Sequence, residues 1–158
     1  MDTTPFETAF AAGYPTVRQL SIFFENRVGE LLRLTRLFER TDVHILGLSV
    51  VNSVDCAIIR MIVDKPDAAY DLLRESGFAV CQTDILVVSL PGGKRALLHT
   101  WIAFLSAEVS VAYAYALLGS MRGQAALAVK ADGLEHAAHM LQEKGFTVLD
   151  QTDLATLF

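Results

Sequence analysis

The stretch Glu25-Asn26-Arg27-Val28-Gly29-Glu30-Leu31 concentrates the groups best suited to hold a small molecule. A glycine at 29 lets backbone approach a ligand closely. A helix opening there would offer free N–H groups to a carboxylate. Asn26 both donates and accepts hydrogen bonds, which suits the ammonium and carboxylate of an amino acid. An ordinary strand-to-helix turn would use the same residue types, so spacing alone leaves both readings open. Glu25 and Glu30 flank the loop, but two carboxylates do not by themselves make an acid/base pair. Tyr113 and Tyr115 fall on one face of an alternating run. Such a pair either packs in an interface or a core with its hydroxyls at the rim, or lines a ligand pocket. His136 and His139 are spaced to share a metal, but no third ligand is near in sequence, so a solvated helix face is expected and no metal. No nucleophile elbow, phosphate loop or HExxH motif is present, and no enzyme activity and no cofactor are expected.

The elements that must position these residues come in two matching sets. Glu75-Ser76-Gly77-Phe78 recurs as Glu143-Lys144-Gly145-Phe146, 68 residues later. At the same offset Asp64, Ala69 and Leu73 fall on Asp132, Ala137 and Leu141. Gln82-Thr83-Asp84 recurs as Gln151-Thr152-Asp153 with one extra residue before it. At an offset of 66, Leu20, Ile22 and Phe24 fall on Leu86, Val88 and Leu90, and Leu31, Leu32 and Phe38 on Leu97, Leu98 and Phe104. A period this long exceeds most solenoid repeats and fits a duplicated small domain.

Within the first half, alternation over residues 17–24 predicts a strand, and Gly29 opens a helix with Leu31, Leu34 and Phe38 on its apolar stripe. Residues 43–51 and 56–63 read as strands around an Asn52-Ser53 turn. Pro66 suits the first turn of a second helix, with Asp64 as its candidate cap, and Gly77 ends it. Residues 78–82 form the fourth strand. In the second half the same order gives strands at 85–90, 109–118, 124–131 and 146–150, helices at 95–106 and 133–144, and a turn at 119–123. The pattern βαββαβ, twice, predicts an α+β fold of two tandem ferredoxin-like units, each an antiparallel sheet with helices on one face. The divisions are an N-terminal arm over 1–15, a first unit over 16–84 and a second over 85–158, with almost no linker. In the arm, Phe6, Phe10 and Tyr14 share a helical spacing.

Composition narrows the partners. Hydrophobic residues make up 53% and charged residues 20%, mean hydropathy is +0.38, and the net charge is −5. So much apolar surface in two small units predicts a buried face between them and a subunit interface, giving a homo-oligomer, expected as a dimer. The acidic balance argues against nucleic acid. The start of the chain lacks a basic region followed by an apolar run, so no signal peptide and a cytoplasmic location are expected. Residues 96–121 carry one formal charge, Glu108, whose central place argues for a buried helix and strand and against a membrane span. Cys56 and Cys81 lie in apolar runs and are expected to be buried free thiols.

Residues 19–31, Gln-Leu-Ser-Ile-Phe-Phe-Glu-Asn-Arg-Val-Gly-Glu-Leu, with Arg33, Leu37 and Phe38 after them, resemble the opening of an ACT domain. They are particularly similar to the regulatory small subunit of acetolactate synthase, whose motif runs Glu-Asn-x-Pro-Gly-x-Leu. Residues 109–116, Val-Ser-Val-Ala-Tyr-Ala-Tyr-Ala, look like the second unit of stand-alone tandem ACT proteins. The resemblance covers about residues 16 to 153. It implies a non-catalytic regulatory protein that binds an amino acid, alone or as the regulatory subunit of a biosynthetic enzyme. It places the ligand against Asn26, Arg27, Val28, Gly29, Glu30 and Leu31, with the neighbouring unit's second strand closing the site and Tyr113 and Tyr115 as candidate lining. Val28 departs from the family's proline. In the second half Arg95 stands at the motif glycine, so that loop has either lost its site or recognises an anion through Lys94 and Arg95.

Overall fold

A computed structural model describes residues 13–25 and 27–156. Its elements are β1 (Val17–Glu25), α1 (Glu30–Glu39), β2 (Ile45–Asn52), β3 (Cys56–Val63), α2 (Pro66–Glu75), β4 (Ala79–Ser89), α3 (Ala96–Ser106), β5 (Val111–Met121), β6 (Gln124–Ala131), α4 (Leu134–Glu143), β7 (Val148–Leu149) and α5 (Gln151–Ala155). The two βαββαβ sets are present in the expected order. The sheet arrangement is different. In place of two open sheets, one antiparallel ring runs β1-β3-β2-β5-β6-β4 and closes through β4 on β1, with β7 added to β4. Three features cause closure. β4 is one continuous strand: its first part pairs with β1 from Val17↔Ile85 to Phe23↔Ala79, and its second part pairs with β6 and β7. The free edges of the two halves, β2 and β5, meet at Gly47↔Leu117. A side chain at 47 would come within 2.7 Å of Leu117, so glycine there permits the junction. The apolar inner faces of the two halves then cover each other, which removes sheet surface and edges from water together.

Alternation sorts the side chains into three cores. Leu20, Ile22, Ile59, Met61 and Val63 face outward to Leu34 and Phe38 of α1 and Ala69 and Leu73 of α2. Leu86, Val88, Leu127 and Val129 face Phe104 of α3 and Ala137 and Leu141 of α4. The ring interior holds Val17, Leu46, Ile62, Ile85, Val87, Leu117 and Leu149. Each fully buried Leu, Ile or Val contributes roughly 1.5–3 kcal/mol.

α5 is absent from the sequence reading, and it closes one end of the ring. Asp150 accepts a bond from the Asp153 amide at 2.8 Å, while the Asp153 carboxylate accepts from the Asp150 amide at 2.9 Å. This reciprocal cap starts a helix where the matching Gln82-Thr83-Asp84 continues a strand. Leu154 then drops fully buried into the interior core. Gln151 accepts from the Arg18 amide at 3.2 Å and donates to the Val63 carbonyl at 3.1 Å, which pins the helix to β1 and β3.

Asp64 does not cap α2; its carboxylate accepts from the His44 amide at 2.8 Å and lies 2.9 Å from the His44 ring. β5 extends to Met121, so its turn is only Arg122–Gly123, both with positive φ. Cys56 and Cys81 are free but exposed. Cys56 begins a strand beside a hairpin turn, and Cys81 pairs with Ser21 toward the end of the ring opposite α5. Residues 96–121 form α3 and β5, and among the described residues no helix is long and apolar enough to cross a membrane. Phe6 and Phe10 lie outside the described residues. Tyr14 packs half-buried on the second outer core, and burial, with Asp84 next, raises its phenol pKa.

Candidate functional site

β1 ends at Glu25 and α1 begins at Glu30, so the corner between them carries the first loop. Gly29 is the N-cap of α1 with φ 92°, a left-handed conformation that L side chains resist. No side chain caps this helix start. The Glu30 amide reaches back to the Arg27 carbonyl at 3.3 Å, and Arg33 is the first residue whose amide bonds to the Gly29 carbonyl, at 2.9 Å. The amides between them stand at the open first turn. Space around Gly29 is clear, since a Cβ there would meet nothing within 4 Å. Val28 is fully exposed and Leu31 is 41% exposed. Arg27 pairs with Glu25, and Glu30 pairs with Arg33 at 3.0 Å. Asn26 lies outside the described residues.

The corner is open on the side where the sequence reading placed a wall. A shallow depression beside Gly29 is lined by Leu32, Arg33, Arg36, Leu37 and Glu39 of α1 and by its C-cap residue Arg40. The second strand of the other unit, β5, pairs with β2 and does not line it. The matching corner of the second unit is built differently. Arg95 caps α3 with φ −96°, and the left-handed residue is Gly93, two positions earlier. Lys94 and Arg95 are both exposed there.

Tyr113 and Tyr115 are not brought to either corner. They point into the ring, where the Tyr115 hydroxyl donates to Gln19 Oε1 at 2.7 Å and Gln19 Nε2 donates to the Tyr113 hydroxyl at 2.8 Å. Gln19 is completely buried and also lies 3.3 Å from Ser21 Oγ. The Arg60 guanidinium stacks on the Tyr113 ring at 3.8 Å, within cation–π range. Residues from both halves thus meet in one polar layer above the apolar interior. Gln19, overlooked in the sequence, was detectable as a polar residue on the inward-alternating face of a strand.

Burial first, and Tyr113 next, raise the Tyr115 phenol above its usual 10.0. The phenolate therefore forms more readily in the unfolded chain, so this contribution is intact below pH 10 and drains away as pH rises further. Stability measured by denaturant between about pH 9 and pH 11 should fall more steeply in the wild type than in Tyr115→Phe. Parallel curves would exclude a buried phenol at 115.

His136 reaches the Ala107 carbonyl at 3.1 Å, and His139 lies 3.8 Å from Glu135. Among the described residues no group of three or more His, Cys, Asp or Glu is placed to hold a metal ion.

The sequence pattern described as an ACT domain pair matches residues 15–158. No curated protein matches the chain. Among solved structures, protein BT0572 from Bacteroides thetaiotaomicron is similar at 28% identity and TM-score 0.82, over 91% of this chain and 99% of that one. The ligand-free regulatory subunit of aspartate kinase from Thermus thermophilus shares the fold at 10% identity and TM-score 0.56, over 84% and 95%. Its counterpart from Thermus flavus does so at 11% and 0.53, over 82% and 92%.

Proposed function

The chain belongs to the ACT domain pair family, and from that premise we propose that it is a non-catalytic regulatory protein whose first unit, residues 16–84, binds an amino acid at the Gly29 corner. The observation that carries this reading is the start of α1: a left-handed glycine, no side-chain cap and clear space above it. Uncapped first-turn amides and the positive end of the helix dipole favour a carboxylate. Arg27 flanks the ligand, Val28 and Leu31 offer it apolar contact, the Glu30–Arg33 pair orients the rim, and Asn26 belongs to the same loop by its place in the sequence.

A second copy of the chain supplies the missing wall. Support comes from α3, whose Leu97, Leu98, Trp101 and Leu105 form an exposed apolar stripe unusual on a monomer. The protein is then a cytoplasmic homodimer that needs no cofactor, membrane or nucleic acid. The same stripe would serve a catalytic subunit of an amino-acid biosynthetic enzyme, such as acetolactate synthase; co-purification with a large subunit would favour that alternative.

A thermal-shift screen of the common amino acids tests the proposal. At least one should raise the melting temperature, since ligand at 100 times its Kd stabilises by about 2.7 kcal/mol. Gly29→Asp should abolish the rise by setting a carboxylate against the ligand's own. Gly29→Asn, with similar backbone strain and no charge, should keep part of it. Native mass spectrometry of the same sample reads the subunit count. No shift with any amino acid at millimolar concentration would overturn the reading.

A further inference from the structure

A cleft of about 550 Å³ opens in the second unit between α3, the α4–β7 turn and the ends of β4 and β6. Its lining includes Ser89, His99, Ile102, Gln124, Lys144 and Phe146. The volume falls within the usual range for small-molecule sites. The first unit shows why this space is open. There Arg33, the counterpart of His99, lays its guanidinium over the Phe78 ring at 4.4 Å and donates to the Ser76 carbonyl at 3.2 Å. Phe78 and Ser76 are the counterparts of Phe146 and Lys144. The duplication has replaced a long side chain that fills the groove by a shorter one, and has added a cation at its rim.

The polar groups left in the cleft favour an anion. Lys144 is the one formal charge among the lining residues, and no carboxylate lines the cleft. Among the described residues neither His99 nor Lys144 makes a side-chain hydrogen bond or ion pair. Ser89, nine-tenths buried, donates to Gln124 Oε1 at 2.9 Å, which leaves the Gln124 amide N–H groups as donors. Phe146 and Ile102 supply an apolar floor and wall. We propose that this cleft binds a small carboxylate with a flat or branched apolar body, its acid group held by Lys144 with His99 and its body on Phe146. An ammonium finds no acidic partner among the lining residues, which separates this ligand class from the amino acid of the Gly29 corner. The inference does not rest on that reading.

Calorimetric titration of the full chain with 3-phenylpropionate tests it, with phenethylamine as the cationic control. The acid should bind and the amine should not. His99→Arg, which restores the residue of the first unit, should abolish binding while the protein stays folded. Lys144→Ser, also the first unit's residue and exposed, should weaken it at least about tenfold, or about 1.4 kcal/mol. Gly29→Asp should leave it unchanged. Equal binding of the amine, unaltered binding in both second-unit variants, or no binding of the acid up to about 10 mM would each overturn the proposal.

Discussion

Gln19→Leu should destabilise the protein by about 2–5 kcal/mol, because buried groups in the interior lose their partners at once. Tyr115 loses its acceptor, and Tyr113 and Ser21 lose a donor. Leucine has a similar volume, so the loss isolates unsatisfied polarity from cavity formation. Tyr115→Phe alone should cost less, because Gln19 would keep its bond to Tyr113. The double variant should show a coupling of about 0.5–3 kcal/mol between positions 96 residues apart in sequence. Denaturant unfolding at neutral pH measures all three. A Gln19→Leu cost below about 0.5 kcal/mol would mean that the two halves are not joined through this layer.

Leu154→Ala is the second large effect, expected at about 2–5 kcal/mol from lost burial and the cavity left behind. Its side chain is fully buried in the interior core, yet it comes from a helix of five residues. Such a helix has no stability of its own, so its cap should matter too: Asp150→Ala should cost about 0.5–2 kcal/mol. Urea titration monitored by far-ultraviolet circular dichroism reads both. If Leu154→Ala costs under about 1 kcal/mol, α5 is not the plug of that end.

Local pattern carried the elements and duplication carried their order. Gly29, Gly77 and Pro66 each marked a helix boundary that the structure has within a residue or two. Ring closure was not legible, because nothing local in Asp84-Ile85 distinguishes two abutting strands from one shared strand. The contact of Gly47 with Leu117 is likewise a product of global geometry. α5 was masked by the repeat itself: Gln-Thr-Asp occurs twice, and only the preceding Asp150 decides strand or helix. At the candidate site, the loop residues were found through glycine and spacing. Whether the tyrosines packed in a core or lined a pocket was not legible, because a strand's two faces cannot be told apart by pattern when both are buried. The cleft at Phe146 was readable only by asking which residue of the first unit each second-unit residue replaces.

The shared strand also dictates where this gene can change length. From Cys81 to Ser89 every second residue of β4 points into the ring, without interruption across the halves. One inserted codon near Asp84 would turn Leu86 and Val88 inward and Ile85 or Val87 outward, scrambling two cores. A joint between tandem copies, normally the most permissive place for indels, is here the least. A two-residue difference between the copies sits instead in the β5–β6 hairpin, where pairing slips between Ala116 and Ser120 and the offset passes from 66 to 68. Drift in length among descendants of this fusion is therefore steered to the hairpins, while the seam stays frozen in frame.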